Sequence, residues 1–250
     1  MKSFYLTDSG KVREHNEDSV TIVKNKNGEM LMAVADGMGG HKAGEVASSI
    51  AITYLGKRFS EISSVGNKQD AINWLKDSIN EVNALIFKYT YEHEESVGMG
   101  TTLVCALITE EFVLIGNIGD SSGFVIKNQK LHKITQDHTL VNLLVKSGEL
   151  TEEEAIHHPK KNVLMKALGA NEIVELDIFD VDTELEGILL CSDGLTNMLT
   201  PEQIEKVITT DELDIEDKVI KLIRKSNARG GLDNISIAYL EKESGDNSDN

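Results

Sequence analysis

Met30-Leu31-Met32-Ala33-Val34-Ala35-Asp36-Gly37-Met38-Gly39-Gly40-His41 is the stretch on which the reading of this chain turns. The apolar run Met30–Ala35 has strand length, and an acid followed by glycines closes it. An aspartate at the end of an apolar strand projects into a cleft beside its sheet, and glycine lets other backbone approach it closely. Beyond the turn a helical pattern starts, with Ala43, Val46, Ala47, Ile50, Ala51, Tyr54 and Leu55 recurring at intervals of three and four.

The same arrangement returns further along. Val113–Ile118 leads into Gly119-Asp120-Ser121, and Ile188–Cys191 leads into Ser192-Asp193-Gly194. Gly230-Gly231-Leu232-Asp233-Asn234 precedes another apolar run, Ile235–Leu240. Taken singly, each is an ordinary turn signal. Taken together, they place several carboxylates at the ends of what should be central strands, where they repel one another unless a cation neutralises them. Hard divalent ions with oxygen ligands suit such a group, and no set of histidines or cysteines accompanies it to hold zinc.

Further strand-like runs are Val20–Val23, Leu103–Ile108 and Gly123–Ile126, with tight polar turns at Thr109–Glu111 and Lys127–Gln129 that suit antiparallel hairpins. A second long amphipathic helix carries Trp74, Leu75, Ile79, Val82, Leu85, Ile86 and Tyr89. Shorter helices are expected over Leu140–Lys146, Thr151–His157, from Pro201 onward, and over Glu216–Asn227. Strands arranged in hairpins, with helices inserted in pairs, indicate an α+β fold with antiparallel sheets. One domain is expected over residues 1–242, followed by a polar, disordered tail, Glu243–Asn250.

The chain of 250 residues carries 25 Lys and Arg against 42 Asp and Glu, a net charge of −17, which argues against nucleic acid as a partner. Most of these acids are solvated surface. The residues Met1–Gly10 lack the apolar core of a signal peptide, and no run approaches the roughly 20 apolar residues of a membrane span. Cys105 and Cys191 lie in apolar runs and read as buried reduced thiols, consistent with a cytoplasmic protein. Arg13-Glu14-His15-Asn16-Glu17-Asp18 stands just before the strand at Val20. Beside a metal cluster, the planar guanidinium of Arg13 matches two phosphate oxygens.

Arg13-x-x-Asn16-Glu17-Asp18, the Asp36–His41 run, Gly98-Met99-Gly100-Thr101-Thr102, Gly119-Asp120-Ser121, Thr135-x-Asp137-His138, His158-Pro159-x-x-Asn162, Ser192-Asp193-Gly194 and Gly231-x-Asp233-Asn234 follow one another in a characteristic order. In this the sequence resembles the protein phosphatase 2C (PPM) family, and its compact bacterial members in particular, over roughly Phe4 to Leu240.

The resemblance implies a four-layer αββα sandwich and a metal-dependent serine/threonine phosphatase. It implies that Asp36 bridges two Mn²⁺ or Mg²⁺ ions, that the carbonyl of Gly37 completes the first site, and that Asp193 and Asp233 hold the second ion. Glu17 and Asp18 would act through metal-bound water, Arg13 would grip the substrate phosphate, and Asp120 and Asp137 would join Asp193 around a weaker third ion. The implied chemistry is in-line attack of a metal-activated hydroxide on a phosphomonoester. The implied partners are phosphorylated proteins and the serine/threonine kinase that makes them, with the phosphatase a monomer. Residues 145–162 would form a flap beside the site.

This chain departs from the pattern in three places. Met38 stands where animal members carry a histidine. His41 is then open to two readings, a substitute general acid or a residue packing a helix N-terminus. Ser122 replaces the usual arginine after Gly-Asp-Ser, and Asn197 is neutral where some relatives have an acid. Two rival readings are a different two-metal hydrolase, such as a nuclease or pyrophosphatase, and a silent phosphoprotein-binding scaffold. The first fits poorly with the low Lys and Arg content, and the second with the presence of Asp36, Asp193 and Asp233.

Overall fold

The computed structural model describes residues 1–39 and 43–242. His41, the candidate acid, and the tail from Glu243 onward lie outside the described residues.

Two antiparallel sheets make the centre of the molecule. One runs β2 (Asp18–Lys24), β3 (Met30–Met38), β5 (Leu103–Ile108), β6 (Val113–Ile118) and β9 (Asp177–Val181), with the short β4 (Gly100–Thr101) paired to β3. The other runs β1 (Lys2–Asp8), β11 (Ile235–Glu241), β10 (Gly187–Cys191), β7 (Ser122–Lys127) and β8 (Lys130–Lys133). The strands expected to be central, β3, β6 and β10, each have a neighbour on both sides. The β7–β8 hairpin turns through Asn128 and Gln129, both at positive φ, as a tight two-residue hairpin loop requires.

The continuous apolar runs follow from burial on both faces of each sheet. Along β3, Met30, Met32 and Val34 pack between the sheets, while Leu31, Ala33 and Ala35 pack outward against helices. The same alternation sends Ile188 and Leu190 of β10 inward and Leu189 and Cys191 outward. The helices over the first sheet are α1 (Ala43–Glu61) and α2 (Lys68–Glu92). Over the second lie α6 (Pro201–Ile208) and α7 (Ile215–Ala228). The result is the expected four-layer αββα sandwich.

Helix starts are written in side chains. Asn67 and Asp70 form a reciprocal capping box on α2, and the Asp214 side chain accepts the Asp217 N–H at the start of α7. Pro201 occupies the first turn of α6, where its missing N–H costs nothing. Three shorter helices, α3 (Leu140–Lys146), α4 (Glu152–Ile156) and α5 (Asp193–Thr196), complete the set.

Antiparallel pairing decides where the site falls. The end of β3 lies beside the start of β2, with Asp36 directly opposite Asp18 in the register. The end of β10 lies beside the starts of β11 and β7, and the end of β6 beside the start of β5. Every aspartate singled out in the sequence therefore reaches the same end of the sandwich. A cavity of about 1040 Å³ at the opposite end, lined by Gln129, Glu186, Lys218 and Tyr239, holds none of them.

The gap between the sheets is filled without slack, so Leu190→Ala, at a fully buried position there, is expected to cost about 2–5 kcal/mol. Denaturant unfolding at constant m-value checks this; a cost inside the ±0.5 kcal/mol range typical of exposed sites would contradict the packing described.

Candidate metal and phosphate site

Asp36 shares the face of β3 that carries Met30, Met32 and Val34, so the pleat aims it into the mouth of the gap between the sheets. Its backbone is pinned from the end of β4 and the residue that follows it. The Asp36 N–H donates to Thr102 Oγ1 at 3.0 Å, and its carbonyl accepts from Thr101 Oγ1 at 3.0 Å and Thr102 N–H at 2.9 Å. Gly37 follows because nothing larger fits: a Cβ there would lie 2.1 Å from the Gly44 carbonyl oxygen and 2.5 Å from that of Glu17. This close approach brings the start of α1 onto the end of β3, and the Gly37 N–H donates to Glu17 O at 3.1 Å.

Asp18 is buried at the start of β2, and its Oδ2 accepts from Ser192 Oγ at 2.7 Å. Asp193 opens α5, where Asn197 Nδ2 donates to its Oδ2 at 2.9 Å. Asp233 stands in the loop before β11 and pairs with Arg13 at 2.8 Å. Asn234 ties that loop to the N-terminal arm. Its Oδ1 accepts the Glu17 N–H at 2.8 Å, and its Nδ2 donates to the carbonyls of Ser9 and His15 at 3.0 and 2.9 Å.

The electrostatics show that these groups share one space. Burial, followed by the charges of Asp18, Asp193, Asp120 and Asp233, pushes Asp36 well above the usual carboxylate range. Part of Asp36 remains open to solvent, but the surrounding protein strips most of the water from its carboxyl group. Asp18 is pushed up to about 7, first by burial and then, against hydrogen bonds from Ser192 and Ser236, by Asp193 and Asp233. Burial and the charges of Asp193 and Asp137 raise Asp120 to about 7, and burial and Asp233 raise Asp193 to about 6. Glu17 is raised more gently by burial, with Arg13 opposing.

Such an arrangement calls for a cation. Asp18 Oδ1 and Asp193 Oδ1 are buried with no hydrogen-bond partner, and a buried carboxylate oxygen left so is costly. The donor set is all hard oxygen, which fits Mg²⁺ or Mn²⁺ and their habit of keeping water in the coordination shell. Among the described residues no three acids already close to bonding distance around one point. Asp233 is paired with Arg13, and Asp18 accepts from Ser192.

Of the expected site residues, Asp18, Asp36, Asp120, Asp193 and Asp233 are brought together, with Gly37 and Glu17 at their edge. Asp137 lies close enough to raise Asp120 but is itself paired with Lys133 at 2.7 Å. Arg13 is half exposed, at the rim of the group. Met38 pairs with Gly100 across β4 and is half-buried. Asn197 donates to Asp193 instead of adding a charge. Ser122 is buried, with its Oγ unpartnered. Thr102, Ser192 and Asn234 were not anticipated as site residues. The signal for each was its place beside a motif aspartate or inside a motif.

Metal-free protein should pay for this crowding in a pH-dependent way. The folded state holds protons on Asp18 and Asp120 up to about 7, whereas the ordinary carboxyl value is 3.8. It therefore binds more protons than the unfolded chain in that window, and stability falls as pH rises through it. Thermal melts in EDTA are expected to show a falling Tm from about pH 4 to pH 7, with the trend reversed by Mn²⁺. A rising Tm in EDTA across the window would contradict the electrostatics described.

A family model described as protein phosphatase 2C matches residues 10–231. The serine/threonine phosphatase stp of Listeria monocytogenes serotype 4b (strain F2365) is 39% identical over 244 residues, covering 97% of this chain and 96% of that protein. Protein phosphatase PhpP of Streptococcus pneumoniae serotype 2 (strain D39) is 38% identical over 245 residues, covering 96% and 97%. The crystal structure of serine/threonine phosphatase Stp1 from Staphylococcus aureus superposes with a TM-score of 0.91 at 37% identity, over 97% of this chain and 95% of that one. That of the Mycobacterium tuberculosis serine/threonine phosphatase PstP/Ppp does so with a TM-score of 0.85 at 33% identity, over 96% and 99%. Matched in sequence over most of its length and in fold throughout, the chain belongs to the protein phosphatase 2C family.

Proposed function

We propose that this serine/threonine phosphatase uses divalent Mn²⁺ or Mg²⁺, with two ions at its core site and a weaker third, to hydrolyse phosphoserine and phosphothreonine in proteins. The observation that carries the reading is the convergence of four desolvated carboxylates, with Asp233 beside them, at one end of the sandwich, two of the four with a buried, unpartnered oxygen. Asp36, Asp193, Asp233 and the Gly37 carbonyl would hold the core pair. Glu17 and Asp18 would act through water, and Asp120 and Asp137, with Asp193, would hold the third ion. When bound, such ions act as Lewis acids that activate water and neutralise charge on phosphate oxygens.

The chain's own residues supply the rest. Arg13 is free to change partners. Its pair with Asp233 is half exposed, with side-chain exposures of 51% and 35%, and exposed pairs of this kind are worth only about 0–1 kcal/mol. With Asp233 engaged elsewhere, the guanidinium would be left to meet two phosphate oxygens in its planar fork. Asn197 fixes the rotamer of Asp193 without neutralising it. The thiols take no part: Cys105 and Cys191 are buried, and burial pushes both up to about 12.

We further infer a monomeric enzyme formed by one domain over residues 1–242 and working in the cytoplasm, where its substrates are the products of a serine/threonine kinase. Two buried free thiols support a reducing compartment, and among the described residues no helix is long and apolar enough to cross a membrane.

Release of phosphate from a phosphothreonine peptide is expected with Mn²⁺ and is abolished by EDTA, with nucleotides poor competitors. Asp36→Asn or Asp193→Asn should lower kcat by several orders of magnitude, while leaving metal-free stability equal or higher, because each removes a carboxylate with a raised pKa. Undiminished turnover in either variant removes the metal assignment. Arg13→Ala is expected to lower kcat/KM about 10- to 100-fold, largely through KM. A change confined to Tm would instead make Arg13 a structural residue.

A further inference from the structure

His138 belongs to the Thr135-x-Asp137-His138 run, yet its ring is not among the groups that would hold metal or phosphate. Each of its polar groups is committed. Nδ1 accepts the Gly119 N–H at 3.0 Å, and Nε2 meets Asp177 Oδ2 at 2.9 Å. Its own N–H donates to Gly119 O at 2.9 Å, and its carbonyl accepts the Met165 N–H at 2.7 Å. A ring nitrogen that accepts an amide proton carries none itself, so the imidazole proton sits on Nε2 and is donated to Asp177. Asp177, at the start of β9, also meets Lys166 Nζ at 3.4 Å.

The ring thus stands between two parts of the molecule. On one side are the roots of the segment carrying α3 and α4: Thr139 where it leaves, and Met165 and Lys166 where it returns. On the other is the Gly119–Asp120 turn. That turn has no slack, since Gly119 has φ +103° and a Cβ there would lie 2.6 Å from Thr102 Cβ. From the turn, Ser121 Oγ lies 2.8 Å from Thr102 Oγ1, the same atom that accepts the Asp36 N–H. The peptide carrying Asp120 is therefore keyed to His138 on one side and to Asp36 on the other.

We propose that His138 is a positioning residue for the phosphatase reaction: with its proton on Nε2, it fixes the Gly119–Asp120 turn against the roots of the 139–165 segment and so sets where Asp120 stands relative to Asp36. A packing role alone would need only the volume of a ring that is 9% exposed. It would not need one particular tautomer.

Two measurements test this, and only the second rests on the proposed chemistry. In the first, the metal-free wild-type protein, with its histidine ring nitrogens labelled, is studied by nitrogen-15 NMR at mildly alkaline pH. His138 is expected to show a protonated Nε2 and a bare Nδ1; a ring protonated on Nδ1 overturns the proposal whatever the activity. In the second, His138→Asn keeps an acceptor where Nδ1 stands, and His138→Gln keeps a donor near Nε2. With Mn²⁺ and a phosphothreonine peptide, the Gln variant is expected to lose about tenfold in kcat and the Asn variant less than about threefold, with KM moving less than kcat. Equal losses, or a greater loss in the Asn variant, overturn it. Should the Gln variant fail to fold, the tautomer of the wild-type ring still decides.

Discussion

Mutual repulsion among carboxylates held out of water governs this molecule. Asp18, Asp36, Asp120, Asp193 and Asp233 could each be solvated cheaply on the surface. Instead the ends of β2, β3, β6 and β10 and the loop before β11 bring them to one place. The side-chain donors placed on Asp18 and Asp193 are neutral, Ser192 and Asn197. A lysine in either place would settle the local charge and spoil the proposed site for a divalent ion. Arg13, which does carry charge, is held at the rim, where its attachment is weak enough to exchange.

The frame has to resist that repulsion, and its construction shows how. Asp36 stands in β3 directly after Met30–Ala35, whose side chains are buried on both faces, and Asp18 faces it directly in the register. Thr101, Thr102, Ser192, Ser236 and Asn234 then lock the backbone at the strand ends through hydrogen bonds. Stability won in the apolar layers is given up at the mouth of the sandwich, the usual exchange between foldedness and a working site.

Much of this was legible in the sequence, for physical reasons that can be named. Strands buried on both faces appear as unbroken apolar runs, so β3, β6 and β10 and the acids that close them stood out. The edge strands did not. In β1 only Phe4 and Leu6 pack into the apolar layer, under the helices of the second sheet and among polar neighbours, with Tyr5 47% exposed, and β9 alternates acids with apolar residues over five positions. Asp18 was expected just before its strand and instead begins it, opposite Asp36. Ser192, Thr102 and Asn234 were hidden because their role lies in hydrogen bonds to partners 174, 66 and 217 residues away. Local pattern carries no trace of such separations. The restrained bonding of His138 is of the same kind, linking Gly119 to Asp177.

Asn234 joins the loop before the last strand to an arm near the first, and β1 pairs along its full length with β11. In a chain made from N- to C-terminus, the arm bearing Arg13 and Glu17 is made before β11 and must wait for it before it can close against the loop that holds Asn234. Loop-closure entropy is met last there, at the longest separation among the described strand pairings. Until β11 has paired, the acidic residues of the growing polypeptide are solvated side chains, and their crowding begins only once that strand is in place.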